Sequence, residues 1–176
     1  LYENHKVLTY PRTDSRYLTT DVAETIRERL QACAVGPYRK LAGTLVSKPI
    51  RTNSSFVDNK KVSDHHAIIP TEQFVQMDHM TVDERKIYDL VVRRFLAVLY
   101  PPFEYEQTTL KGSAAGETFA AKGKIVKSQG WKAVYENPED ADTEEDDAAE
   151  PDMREQSLPD LRKGETLSVM GIDMTS

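Results

Sequence analysis

The periodicity of this chain changes at Pro101-Pro102, and that change limits what it can fold into. Before it, TVDERKIYDLVVRRFLAVLY places Ile87, Leu90, Val91, Phe95 and Val98 at helical spacings, one stripe of an amphipathic helix. Thr81 and Glu84 make the pattern of a capping box at its start, and the two prolines end it. After them, FEYEQTTL, ETFAAKGKIV and GWKAVYE are short β-branched or aromatic runs separated by glycine, which predicts an antiparallel sheet. LRKGETLSVMGIDM adds one more strand or hairpin. The expected fold class is therefore α+β, with a helical domain over 1–102 and a β domain over 103–176.

Two further helices are expected near the start. TTDVAETIRERLQACAV carries Val22, Ile26, Leu30 and Cys33 at helical spacing, with Asp21 and Glu24 as its capping box. PYRKLAGTLV starts behind Gly36-Pro37 and ends near Lys48-Pro49. Joined by a tight turn, the pair resembles a helix-turn-helix. Residues 50–70 are polar and aperiodic, a loop longer than a passive connector needs.

Charge is unevenly spread. The net charge is -6, yet residues 1–136 hold 20 Lys/Arg against 16 Asp/Glu, and residues 137–176 hold 3 against 13. The acidic stretch over about 137–156 has too little apolar surface to repay its ordering entropy and is expected to be a mobile loop. Its EEDD run, 144–147, has no fixed geometry for an octahedral ion, and His5, His65, His66 and His79 lack ligand spacing, so no metal site is expected. Cys33 is the only cysteine, which excludes an internal disulfide and fits a reducing cytoplasm. No apolar run reaches the roughly 18 residues of a membrane helix. The chain begins at Leu1 rather than at methionine, and we expect a piece of a longer polypeptide.

The stretch LTYPRTDSRYL carries the chemistry. A phenol with a pKa of about 10 is a poor nucleophile unless a cation stabilises its phenolate. Arg12 lies two residues from Tyr10, and in an extended strand both side chains share one face, where the guanidinium fork can also hold a phosphate. Pro11 stiffens that geometry. Thr13, Asp14 and Ser15 can cap the following helix or orient Arg12. Spacing alone leaves a structural alternative open: a strand edge running into an ordinary helix cap.

TYPRTDSRYL followed downstream by VSDHHAIIPT resembles the active-site region of the type IA DNA topoisomerases, and the wording is closest to their bacterial topoisomerase III group. The downstream RRFLAVLYPP also resembles the family. The resemblance implies that Tyr10 attacks one DNA strand to form a 5'-phosphotyrosine link, that Arg12 positions the scissile phosphate, and that His65, in the family's HxAI pattern, contacts DNA beside the active site. His66 falls at a position where the family varies. The resemblance further implies a helical tyrosine domain followed by part of an arch domain, and Mg2+ bound by a Toprim domain that this sequence does not contain. The full enzyme would relax and decatenate DNA in the bacterial cytoplasm, associated with the nucleoid, and these residues alone would do neither. Its partner would be single-stranded DNA, contacted through Arg12, Thr13, Asp14, Ser15, Arg16, Lys60, Lys61 and His65, with no membrane and no obligate protein partner. A tyrosine recombinase fits less well, since it needs a second active-site arginine and places its tyrosine late. A non-catalytic winged-helix module, with residues 21–48 reading DNA and Tyr10 only packing, is the alternative; a plain interaction scaffold is the third.

Overall fold

The computed structural model describes residues 1–136 and 158–168. Their order is α1 (Thr20–Glu24), α2 (Ile26–Ala32), α3 (Arg39–Val46), α4 (Val82–Leu99), β1 (Glu104–Ala114) and β2 (Glu117–Ser128), with short 3-10 turns between them. Helices followed by a two-stranded antiparallel sheet make the chain α+β. The described residues fall into two compact units: those of Leu1–Glu104 and Ser128–Glu144, and those of Tyr105–Lys127 and Glu145–Ser176.

The first unit holds the core. Ile26, Leu30, Tyr38, Tyr88, Val92, Leu96 and Val134 are fully buried within it. The capping box of α4 forms as expected: Glu84 N donates to Thr81 Oγ1 at 3.3 Å, and Thr81 N donates to Glu84 Oε2 at 2.8 Å. The buried stripe of α4 differs from the expected one. Tyr88, Val92, Phe95, Leu96 and Ala97 face inward, while Ile87 and Leu90 are 54% and 69% exposed. An aromatic pair turns the helix: Tyr88 meets Tyr38 at a centroid distance of 6.1 Å, and Tyr38 donates its hydroxyl to Asp89 at 2.8 Å, which Arg93 also grips at 2.9 Å. Burying the two packed rings, with the Tyr38 hydroxyl satisfied by Asp89, outweighs burying Ile87.

The first expected helix is two. Thr25 donates its hydroxyl to the Val22 carbonyl at 2.8 Å and breaks the ladder between α1 and α2. The N-cap of α1 is Thr19, so the expected Asp21–Glu24 capping box does not form. α2 packs on α3 across a turn in which Gly36 adopts φ +48°, giving the expected helix-turn-helix-like pair.

GWKAVYE, expected as a strand, is instead a 3-10 turn over Gly130–Val134 that packs on α4. Trp131 N donates to the Pro101 carbonyl at 2.9 Å, and Gly130 at φ +49° leaves only 2.2 Å between a hypothetical Cβ and the Pro102 oxygen. That close approach folds the chain back and buries Val134.

In the second unit β1 and β2 form a ribbon whose turn places Ala115 at φ 52° and Gly116 at φ 86°, the handedness that matches strand twist. Lys127 pairs with Glu106 at 2.8 Å across it. Residues 158–168 contain a turn closed by Glu165 N on the Arg162 carbonyl at 3.1 Å and no strand, against expectation; the remainder of that expected strand, and the acidic stretch 137–156, lie outside the described residues. Among the described residues no helix is long and apolar enough to cross a membrane.

Candidate active site

Tyr10 is set by the backbone before and after it. Leu8, buried, pairs with Pro70 in an antiparallel bridge. Thr9 N donates to the Ile69 carbonyl and Ile69 N to Thr9 Oγ1, each at 3.0 Å. Pro70 is itself held: buried Arg29 donates to its carbonyl at 2.8 Å while pairing with Glu72 at 2.7 Å. The segment carrying HHAIIP is thus fixed against the segment carrying the tyrosine. Two hydroxyls complete the join. Thr13 Oγ1 donates to the His65 carbonyl at 2.8 Å, and Ser15 Oγ donates to the Lys61 carbonyl at 2.7 Å. Of the two roles the sequence leaves open to them, neither residue takes that of capping α1, whose N-cap is Thr19; each hydroxyl instead also accepts a local backbone N–H, Ser15 N at Thr13 and Tyr17 N at Ser15.

Tyr10, Arg12, Thr13, Asp14, Ser63, Asp64 and His65 line one open cleft of about 500 Å³. Tyr10, 37% exposed, presents its ring to that of His65 at 4.3 Å, tilted by 37°. The expectation that Tyr10 and Arg12 share a face agrees with their common cleft. Arg12 is exposed and makes no hydrogen bond or ion pair among the described residues, so its guanidinium fork is available to an anion. Chemically, the cleft offers a phenol hydroxyl, an uncommitted guanidinium, an imidazole and two carboxylates within one open volume.

The remaining expected site residues stand elsewhere. Arg16 and Lys61 gather round Tyr17 rather than Tyr10: Lys61 Nζ donates to Tyr17 Oη at 3.1 Å and Arg16 Nη2 at 3.5 Å. These two donors, Lys61 foremost, lower the Tyr17 pKa, since both favour the phenolate. Lys60, next to Lys61 in the sequence, is exposed. His66 turns its Nδ1 to the Ala67 carbonyl at 2.7 Å, and His5 lies 3.2 Å from Glu84, away from the cleft.

Three further residues meet the site that no motif in the sequence singles out. Tyr2 stands edge-on to Tyr10 at 5.3 Å, and Asp64 and Ser63 form a wall of the cleft. Asp64 was visible as the residue before His65, but nothing in the spacing of Tyr2 announces its contact. Among the described residues no group of three or more His, Cys, Asp or Glu side chains can hold a metal ion.

The chain belongs to the DNA topoisomerase family, whose sequence model matches residues 1–176. It is 58% identical over 176 residues to DNA topoisomerase 3 of Bacillus thuringiensis (strain Al Hakam), covering 100% of this chain and 24% of that protein. The corresponding protein of Bacillus licheniformis is 50% identical over 175 residues, 99% of this chain and 23% of its own length, and that of Bacillus subtilis (strain 168) is 49% identical over 176 residues, 100% of this chain and 23% of its own. The chain thus spans about a quarter of the length of the curated relatives it matches. These matches bear out the resemblance to type IA enzymes of the topoisomerase III group.

Proposed function

We propose that these residues supply the strand-cutting tyrosine of a type IA topoisomerase acting on single-stranded DNA. The observation that carries this is the cleft itself, in which Tyr10 and His65 meet ring to ring at 4.3 Å with the free Arg12 guanidinium beside them. Arg12 holds a non-bridging oxygen of the scissile phosphate. The Tyr10 oxygen attacks phosphorus, the bond to the 3' oxygen breaks, and the products are a 5'-phosphotyrosine and a 3'-hydroxyl. One phosphodiester replaces another, so resealing needs no ATP. His65, neutral or protonated, donates a hydrogen bond to phosphate or passes a proton. Thr13, Asp14 and Ser15 frame the strand's path.

Mg2+ belongs, on this proposal, to a Toprim domain outside these residues. The whole enzyme relaxes and decatenates DNA in the bacterial cytoplasm at the nucleoid, with no obligate protein partner, while residues 1–176 alone do neither. Incubation of the full-length protein with a labelled single strand, followed by denaturation, tests the proposal. A covalent protein–DNA adduct lost in Tyr10→Phe is expected; an adduct that survives Tyr10→Phe would overturn it.

A further inference from the structure

Tyr17 has its ring and its hydroxyl occupied by cations. Lys61 Nζ lies 4.4 Å from its ring centroid and 3.1 Å from its oxygen, and the Arg16 guanidinium carbon lies 5.5 Å from the centroid. Both groups are donors, so they engage the lone pairs of the phenol oxygen and leave its own hydrogen to be donated outward. A nucleobase seeking the ring face would compete with these cations; an oxyanion would not. Asp58 lies 3.7 Å from Lys61 Nζ, and its Oδ1 is engaged by the Lys60 backbone N–H at 3.0 Å. Arg16 and Lys61 thus bring two cations to the one phenol.

The cluster is also built, not loosely assembled. Tyr17 N donates to Ser15 Oγ at 3.1 Å, the same hydroxyl that grips the Lys61 carbonyl, and Ala67 N donates to the Tyr17 carbonyl at 2.9 Å. Thr13 reaches both sides of this frame, donating to the His65 carbonyl and accepting from Ser15 N at 3.1 Å. The position of Tyr17 relative to the Tyr10 cleft is therefore set by backbone.

We infer that Arg16, Tyr17 and Lys61 form a second phosphate site, which takes a backbone phosphate of the same single strand whose scissile phosphate sits at Arg12. The inference rests on the proposed function for its ligand, and it gives Tyr17 a positioning role: its oxygen holds the two cations together and its hydrogen adds a third donor. The lowered Tyr17 pKa agrees with that convergence of positive charge.

The test uses full-length protein in a Tyr10→Phe background, so that equilibrium binding is read without cleavage. The probes are single-stranded oligonucleotides, each with one neutral methylphosphonate linkage placed in turn along the strand. We expect affinity to fall about threefold to tenfold at one linkage besides the scissile one, and that loss to vanish in Lys61→Gln. Lys61→Gln should also lower the slope of log K against log salt by about 0.7, the value for one phosphate of a single strand. Tyr17→Phe, which keeps the ring, should weaken binding several-fold while leaving the slope unchanged. Tyr17→Phe binding as tightly as its parent, or Lys61→Gln keeping both the slope and the linkage profile, would overturn the inference. The adduct assay on Tyr10 is a separate measurement, so failure of the strand-cutting proposal and failure of the second site are told apart.

Discussion

The hydroxyl of Thr13 donates to the backbone carbonyl of His65 at 2.8 Å, across 52 positions of sequence. This bond places His65 against the segment that carries Tyr10 and Arg12, and the same oxygen receives Ser15 N. Thr13→Val keeps the shape and removes both the donor to the His65 carbonyl and the acceptor for Ser15 N; a neutral hydrogen bond of this kind is worth about 1 kcal/mol. We expect covalent adduct formation by the full-length protein to fall several-fold in Thr13→Val and to recover in Thr13→Ser. Equal adduct yields in all three proteins, measured on one labelled oligonucleotide, would show that the bond does not hold the histidine in place.

Gly130 makes the second prediction. Its φ of +49° alone costs a residue with a Cβ about 1–2 kcal/mol, and the added carbon would meet the Pro102 oxygen at 2.2 Å, where backbone on both sides has no room to move. Gly130→Ala is expected to destabilise the chain by at least about 2 kcal/mol, read as a lowered denaturant midpoint. Ala115, at φ 52° in the exposed hairpin turn, predicts the opposite sign: Ala115→Gly should slow hairpin amide exchange, because it removes the same left-handed penalty with no packing lost.

These two positions also mark how far sequence could see. The helices are written in periodic apolar residues and α4 in a capping box, so their existence was legible from Thr81, Glu84 and Phe95. The face that α4 buries was not, because periodicity weighs Ile87 and Leu90 as core, whereas the fold packs Tyr88 against Tyr38, whose own hydroxyl is satisfied by Asp89. GWKAVYE reads as a strand by composition; only the contact between Gly130 and Pro102 turns it. Tyr10, Arg12 and His65 stood out as motifs, yet what joins them is the pairing of Leu8 with Pro70 and backbone bonds at Thr9 and Ile69, which leave no side-chain pattern. Tyr17 and Tyr2 carry no sequence signal for the same reason: their roles are contacts, not spacings.

Cys33 gives a chemical prediction. Burial pushes its thiol up to about 12, so at pH 8 the folded chain should hold almost no thiolate there. Alkylation by iodoacetamide is expected to be slow in the native state and to rise to the rate of a free thiol in denaturant. The linkage follows: an unfolded cysteine ionises near 8.5 and the folded one much later, so stability should decline as pH rises past about 8.5. Native-state labelling as fast as in denaturant would contradict the burial.

The capping box at the start of α4 supplies the last prediction. Thr81→Ala removes the acceptor for Glu84 N and should cost about 1 kcal/mol, a lowered Tm of the 176-residue chain. Glu84 has its pKa lowered first by the Thr81 backbone N–H that it accepts, with smaller help from the Thr81 side chain and from His5 at 3.2 Å. A carboxyl whose pKa is depressed on folding contributes stability above its unfolded pKa and loses it as pH falls through the folded one. Protonation of Glu84 should therefore loosen the first turn of α4 in acid, and Glu84→Gln, which keeps an acceptor oxygen without the charge, should flatten that part of the acid profile. Leu1, Leu8 and Ile68 line a groove with Glu84 and Ile87 beside this turn. Since Leu8 also pairs with Pro70, amide exchange at Thr9 and Ile69 should quicken in Thr81→Ala as fraying at the cap reaches the segment that carries Tyr10. Exchange at Thr9 unchanged while the cap amides quicken would confine the effect to the helix end.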